Sequence, residues 1–150
     1  MWDSLFSFNN GLAMVAWVLL LAFPRKPLTH SVILYLGVAL LCLIYTICFA
    51  LLVAGKVDPG GAAGAGGLDL TSIAGVRQFF LSDAGLVIGW THYLAFDLFT
   101  GLWIARDADA KGFSRLVQVP FLLATFLAGP IGLLAWLALR ERAARRLGRG

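Results

Sequence analysis

Four long apolar segments restrict the folds that this sequence can adopt. They cover residues 5–23, 31–54, 84–105 and 117–139. Each has about the 20 residues that an α-helix needs to cross roughly 30 Å of hydrocarbon. Of all residues, 60% are hydrophobic and only 13% are charged, which is outside the range of soluble domains. The sequence therefore predicts an all-α integral membrane protein, with one domain formed by a bundle of four transmembrane helices.

The first segment also fits a cleaved signal peptide, which is the alternative interpretation. Asn9, Asn10 and Gly11 interrupt it, so its purely apolar part is short. A signal peptide begins with basic residues, whereas the first positive charges here, Arg25 and Lys26, follow the apolar part. This order of charges favours a retained first transmembrane helix.

The connection between the second and third segments contains two kinds of sequence. Residues 60–67 are all Gly or Ala, which is typical of a flexible linker. After the linker, Ile73, Val76 and Phe80 share one helical face. This pattern favours a short amphipathic helix in the membrane interface before the third span. An irregular loop is the alternative for this stretch.

The basic residues predict an orientation in the membrane. With four spans, both termini share one side, and that side includes the basic tail 140–150. Seven basic residues then lie on the side of the termini, against five on the opposite side. The positive-inside rule therefore predicts that both termini are cytoplasmic, and the Gly/Ala linker indicates a bacterial cytoplasmic membrane. The tail is explained as an anchor to anionic membrane lipids, and no pattern predicts nucleic acid binding.

Motifs of the common soluble enzyme classes are missing from the sequence. Cys42 and Cys48 are six residues apart in the second segment, so they point in different directions around a helix and are expected to be apolar fillers. There is no cysteine and histidine spacing for zinc, no phosphate-binding glycine loop and no nucleophile elbow. Neither a metal nor an organic cofactor is implied.

The third segment carries ionisable side chains that a membrane span rarely contains. His92 and Asp97 lie within it, and such groups are costly at that depth and usually functional. A helical projection places the polar and aromatic side chains on one arc, which we expect to line a cavity. The arc contains Tyr93, Asp97, Thr100, Ile104 and Asp107, with His92 and Trp103 at its flank, whereas Leu94, Leu98 and Leu102 lie opposite.

His92 and Asp97 are the candidate catalytic residues, because they could act as acid and base or hold two points of one substrate. The candidate substrate-binding residues are Trp90, Tyr93, Thr100, Trp103, Asp107 and Pro130. Four of these residues have a structural alternative. The histidine could donate to a carbonyl, the aspartate could pair with an arginine or a tyrosine, and Asp107 could be a solvated helix end. The break around Pro130 could open a binding site or kink a helix.

The same residues resemble a known family. The resemblance rests on Trp90-x-His92, Asp97-Leu98-Phe99, Trp103-Ile104, Asp107, Pro120 and the run Gly129-Pro130-Ile131-Gly132-Leu133-Leu134, together with the stretch from Gly75 to Phe80. This pattern is similar to the signature of the abscisic-acid-deficient-4-like membrane proteins, whose plant members are associated with neoxanthin synthesis. The resemblance covers most of the chain.

The resemblance implies carotenoid chemistry. Conversion of violaxanthin to neoxanthin opens an epoxide and removes a proton, with no net redox change, so it requires an acid and a base but no redox cofactor. His92 and Asp97 in an apolar cavity are expected to share these roles, on an apolar substrate such as a carotenoid.

Two other functions remain open at this stage. A haem-binding electron carrier would require two histidines at matching depth, whereas His30 and His92 begin spans at opposite faces. The closer alternative is a non-catalytic carotenoid- or lipid-binding subunit that supports a partner biosynthetic enzyme or assembles as a homo-oligomer.

Overall fold

All regular secondary structure in the described part of the chain is helical. The computed structural model describes residues 1–58 and 67–147, with side chains up to Glu141. The elements are α1 (Trp2–Ala22), α2 (Pro27–Val32), a π-helical segment (Ile33–Ala39), α3 (Leu40–Val53), α4 (Ile73–Phe80), α5 (Asp83–Ala110), α6 (Arg115–Leu127) and α7 (Gly129–Leu147). Most of the predicted linker 60–67, and the side chains of the predicted basic tail beyond Glu141, lie outside the described residues.

Two helices are long and apolar enough to cross a membrane. They are α1, with 21 residues, and the continuous helix Pro27–Val53, with 27 residues, which α2, the π-helical segment and α3 form together. These helices coincide with the first two predicted spans. The third predicted span lies within α5, which is 28 residues long. Polar residues in α5, including His92 and Asp97, lower its hydropathy.

A short helix precedes α5, as the spacing of Ile73, Val76 and Phe80 predicts. This helix is α4, and the hydroxyl of Ser72 caps its first turn by accepting a hydrogen bond from the Gly75 amide. Such an N-cap satisfies one of the amide groups that a helix start leaves without a partner. The helical prediction is confirmed, whereas the location of α4 in a membrane interface stays a prediction.

The fourth predicted span, 117–139, is two antiparallel helices and not one helix. Ala128 ends α6 with φ −158° and ψ 87°, and α7 starts at Gly129. Trp136 of α7 packs on Phe121 of α6 at 5.4 Å between ring centroids, and a Cβ on Gly132 would overlap Thr125. Because Gly132 has no side chain, the two helices can approach closely where the chain reverses. The expected break is present, but it reverses the chain.

The described chain divides into two compact units. Unit 1 contains Met1–Ala13 and Ala39–Ala95, and unit 2 contains Met14–Val38 and the chain from Phe96 onward. The core of unit 1 is a cluster of buried apolar side chains from α3, α4 and α5. These are Leu52, Phe79, Ala84 and Ile88, with Trp2, Tyr45, Cys48, Phe49, Val57 and Leu68 packed against them.

The core of unit 2 depends on glycines that let large side chains reach a neighbouring helix. A Cβ on Gly101 would overlap the indole of Trp17, and one on Gly37 would lie 3.1 Å from Leu98 Cδ2. Leu98 and Leu102 are fully buried in this core. Leu98 and Leu102, which the helical projection places opposite the polar arc, are therefore packed against other helices of unit 2.

Candidate functional site

An apolar cavity in unit 1 is lined by one of the two candidate catalytic residues, His92. The cavity has a volume of about 240 Å³. Its lining comes from α3, from the region of α4 and from α5, and consists of Tyr45, Phe49, Leu70, Val76, Phe79, Phe80, Ile88, Gly89 and His92. Four of these nine residues are aromatic besides His92, so the cavity suits a flat, apolar ligand.

Three rings form a stacked series along one wall of this cavity. Tyr45 stacks on Phe49 with 5.7 Å between ring centroids and 9° between planes. On its other side, Tyr45 lies 5.6 Å from the His92 ring at an angle of 56°. The histidine is exposed at the cavity surface and is not packed in the core. An imidazole in this position can reach a ligand and can exchange a proton with it.

The opposite wall depends on the position of α4. Phe79 and Phe80 lie edge to face at 5.1 Å. A Cβ on Gly89 of α5 would overlap the Phe80 ring, so the glycine leaves the space that Phe80 occupies. Gly89 therefore brings α4 close enough to α5 to complete the cavity.

A polar turn fixes the start of α4. The Asp69 carboxylate accepts hydrogen bonds from the hydroxyls of Ser72 and Thr71 and from the Thr71 amide. The Ser72 hydroxyl bond and then the Thr71 bonds lower the pKa of Asp69 to about 2. The carboxylate therefore stays charged over the whole physiological pH range and holds the turn that orients α4.

A second polar group in unit 1 joins α1 to α5 next to the predicted site. The Nδ2 group of fully buried Asn9 donates to Thr91 Oγ1 at 2.7 Å. Trp90 Nε1 donates to Asn10 Oδ1 at 3.1 Å, and the Trp90 ring stacks on Tyr93 at 5.1 Å. Trp90 and Tyr93, predicted to bind substrate, thus form an aromatic pair that α1 holds through its asparagines.

Asp97, the other candidate catalytic residue, belongs to unit 2. Its side chain is buried, with 9% exposure. The carboxylate lies directly against Gly129, the first residue of α7, where a Cβ would overlap it. The start of a helix carries positive charge from its dipole, so a carboxylate is favourable there. The observed surroundings of Asp97 are those of a group that holds the start of α7, next to Pro130.

Asp107 is not a solvated helix end but the centre of a polar cluster. It accepts hydrogen bonds from Trp136 Nε1 at 2.9 Å and from Arg140 Nε at 2.9 Å, and Lys111 Nζ lies 3.1 Å away. Burial raises the pKa of Asp107, but the bonds from Lys111, Trp136 and Arg140 outweigh this effect and lower it. Asp107 lies beyond the predicted third span, and it fastens α7 to α5.

Unit 2 contains its own apolar cavity, of about 340 Å³. It is lined by Phe99, Thr100, Trp103, Leu133 and Leu137. Two of these residues, Thr100 and Trp103, are among the predicted substrate-binding residues. The guanidinium of Arg140, on α7, lies over the Trp103 ring at 5.5 Å from its centroid. This contact helps to hold the tryptophan in place.

The structure thus distributes the predicted site residues over two places. His92, Trp90 and Tyr93 belong to unit 1, whereas Asp97, Thr100, Trp103, Asp107 and Pro130 belong to unit 2. Sequence reasoning missed Tyr45, Phe49, Phe79 and Phe80, which form the wall around His92. The second segment contains two tyrosines, Tyr35 and Tyr45, and their polar rings are the signal in the sequence that could have pointed to Tyr45. Within the described residues, no three His, Cys, Asp or Glu side chains are grouped to hold a metal ion.

The described residues define an all-helical protein with two helices that are apolar enough to cross a membrane. Residues 4–136 match the model of the ABA DEFICIENT 4-like (ABA4-like) family. Because the match spans most of the sequence, the chain belongs to this family, and the resemblance predicted from the motifs of α5 and α7 is confirmed. No match was found among curated proteins or among solved structures.

Proposed function

We propose that the protein resides in a membrane and acts there on an apolar polyene of the carotenoid type. Exposed apolar side chains on its long helices support the membrane location. Examples are Met14, Val15 and Val18 on α1, Leu43, Ile47 and Leu51 on α3, Phe96 and Phe99 on α5, and Ile131 and Leu134 on α7. Large apolar side chains exposed along every long helix are unfavourable in water, whereas lipid chains solvate them.

The observation that carries the substrate class is the aromatic cavity around His92. Its volume of about 240 Å³ is small for a long polyene, so it would receive one end of the molecule, with the rest lying along the lipid-facing helices. Flat rings such as Tyr45 and Phe49 pack well against a conjugated chain or an end ring. Membership of the ABA4-like family is consistent with carotenoid chemistry.

The proposed reaction is an isomerisation, such as the opening of an end-ring epoxide. A general acid gives a proton to the epoxide oxygen as the C–O bond breaks, and a base removes a proton from the carbon chain, so the product is an isomer of the substrate. His92 is the proposed proton-transfer group because its imidazole is exposed at the cavity surface, where it can give a proton to a ligand and take one back. Asp97 packs against the start of α7 in unit 2, so we propose a positioning role for it. Its role as a second proton-transfer group, and the substrate contacts predicted for α5, stay predictions from the sequence.

A second candidate function is carotenoid or lipid binding without catalysis. The cavity of unit 2 favours it, because none of its five lining residues is ionisable. A chain with this function would bind pigment and present it to a partner biosynthetic enzyme.

The test is turnover by the purified protein in lipid nanodiscs, with violaxanthin as the probe. We expect a product of unchanged mass from the wild type. The rate of His92→Gln should be lower by about 100-fold or more, because a general acid or base contributes about 10²- to 10⁴-fold. His30→Gln is the matched control, because His30 belongs to unit 2 and does not line the cavity around His92. Retained pigment without product would favour the binding function, and full activity of His92→Gln would remove His92 from the proposed mechanism.

A further inference from the structure

The reversal between α6 and α7 changes the expected path of the chain through a membrane. Helix α6 has 13 residues and is therefore about 20 Å long, too short for a hydrocarbon core of about 30 Å. Its antiparallel neighbour α7 leads the chain back toward the end at which α6 begins. Broken helices of this kind are tolerated at membrane depth where other helices surround them.

Contacts within unit 2 show where α7 leads. Its first residue, Gly129, lies against Asp97, and Trp136 and Arg140 further along α7 bind Asp107. Helix α7 therefore runs parallel to α5, with Gly129 next to Asp97 and Arg140 next to Asp107. Beyond Arg140, the chain continues past the same end of unit 2 at which α5 finishes.

The connection between α1 and α2 lies at this end as well. Arg25 binds Asp109 at 3.0 Å and donates to the Phe113 carbonyl at 2.7 Å. Arg115 donates to the carbonyls of Leu21 and Ala22, the last residues of α1. One face of unit 2 thus contains the α1–α2 connection, the α5–α6 connection and the exit of α7.

The basic residues divide sharply between this face and the rest of the chain. Ten of the twelve lie in its connections or within a few residues of them or, by sequence position, in the chain after α7 begins: Arg25, Lys26, Arg106, Lys111, Arg115, Arg140, Arg142, Arg145, Arg146 and Arg149. The other two, Lys56 and Arg77, occur between α3 and α5. Lys26 and Lys56 flank the 27-residue helix Pro27–Val53, which is long and apolar enough to cross a membrane.

We propose that α6 and α7 form a re-entrant hairpin, so that the chain crosses the membrane three times and its basic face binds the anionic lipid headgroups of the cytoplasmic leaflet. The proposal rests on the membrane location proposed above. The C-terminus is then cytoplasmic and the N-terminus lies on the opposite side. With a hairpin, ten basic residues lie on the cytoplasmic side of the membrane and two on the other side, whereas four spans divide them seven to five. The positive-inside rule therefore predicts the orientation more strongly for the hairpin.

Labelling of single cysteines in intact cells tests the path of the chain. In a protein whose Cys42 and Cys48 are alanine, cysteines are placed one at a time at Lys56, at Ser114 and after Gly150, and treated with a membrane-impermeant thiol reagent. We expect label at position 56 only, with the other two positions labelled after the cells are permeabilised. If one of position 114 and the C-terminus were labelled in intact cells and the other only after permeabilisation, the two would lie on opposite sides of the membrane. This result would overturn the hairpin and restore four spans. Label at both of these positions in intact cells would overturn the orientation.

Lipid retention tests the partner. Protein purified from membranes that contain phosphatidylglycerol should lose bound phosphatidylglycerol in the double variant Lys26→Gln/Arg106→Gln, and keep it in the control Lys56→Gln/Arg77→Gln. Equal retention by both variants would overturn the lipid-binding role of the basic face. Recovery of the wild type in the soluble fraction would instead remove the membrane location on which both proposals rest, whereas loss of violaxanthin turnover alone would leave the topology intact.

Discussion

Gly129 lies so close to the carboxylate of Asp97 that no β carbon fits between them. The pair joins the middle of α5 to the first residue of α7, at the point where the chain reverses. Any side chain at position 129 must displace either the carboxylate or the helix. The glycine of the Gly-Pro-Ile-Gly run is therefore explained by this contact and not by helix breaking alone.

Substitution Gly129→Ala should destabilise unit 2. Its β carbon would overlap Asp97 in a buried environment, and forced overlap of this kind costs about 1 to 3 kcal/mol. The measurement is the thermal unfolding midpoint in detergent or nanodiscs.

The double variant Gly129→Ala/Asp97→Ala is the control for this contact. Alanine at position 97 has no atom beyond its β carbon and leaves room for the methyl group, so the two changes should be clearly non-additive. Additive losses would mean that position 129 is sensitive for a reason other than Asp97.

Substitution Gly89→Ala should reduce substrate turnover without touching His92. The added methyl group would overlap the Phe80 ring and push it out of the cavity wall. We expect weaker pigment binding, measured by quenching of protein fluorescence, and a KM that rises more than kcat falls.

Gly11→Ala is the matched control, because a Cβ there meets nothing within 4 Å. The control should be neutral or stabilising by about 0.5 to 1 kcal/mol, as expected within a helix. Unchanged binding in Gly89→Ala would argue against the unit 1 cavity as the binding site.

The sequence predicts the helices better than it predicts their partners. Hydrophobic segment length places α1, the helix Pro27–Val53 and α5 close to their observed positions, because a long apolar run specifies a helix locally. The break at Gly129 and Pro130 is also visible in the sequence. Whether such a break kinks or reverses the chain depends on contacts with distant residues, such as that of Asp107 with Arg140.

All the residues predicted for the candidate site, except Pro130, lie on one helix. A projection of α5 identifies His92 as unusual, but it contains no information on which neighbours meet that face. Tyr45 and Phe80, which lie on other helices, therefore could not be assigned to the cavity. The same limit applies to His92 and Asp97: they are five residues apart, yet each is surrounded by a different unit.

Asp107 should make stability depend on pH in the acidic range. Its pKa is lowered in the folded protein, so its contribution is present above the ordinary carboxyl pKa near about 4 and is lost as the pH falls through the lowered value. At neutral pH, Asp107→Asn should cost about 2 kcal/mol, the scale of hydrogen bonds to a charged group. Unfolding midpoints at several pH values should show a smaller acid sensitivity in Asp107→Asn than in the wild type.

Asp109→Asn is the control for this prediction. Asp109 pairs with Arg25, whose side chain is 54% exposed, so its loss should cost less than about 1 kcal/mol. If both variants changed stability equally, the cluster around Asp107 would not be the fastening point of α7.

The role of Asp97 can be separated from that of His92 by Asp97→Asn. A charged aspartate in a membrane span is disfavoured by about 2.5 to 3.5 kcal/mol on insertion scales, so the asparagine variant should insert at least as well as the wild type. Because the carboxylate lies at the start of α7, loss of its charge should lower stability by about 0.3 to 1 kcal/mol through the helix dipole. We therefore expect a lower unfolding midpoint and nearly normal product per inserted molecule, whereas His92→Gln should give normal stability and no product. The measurement is product normalised to membrane-inserted protein, together with the unfolding midpoint, for both variants. Loss of product in Asp97→Asn at unchanged stability would contradict the positioning role and support the acid–base pair predicted from the sequence.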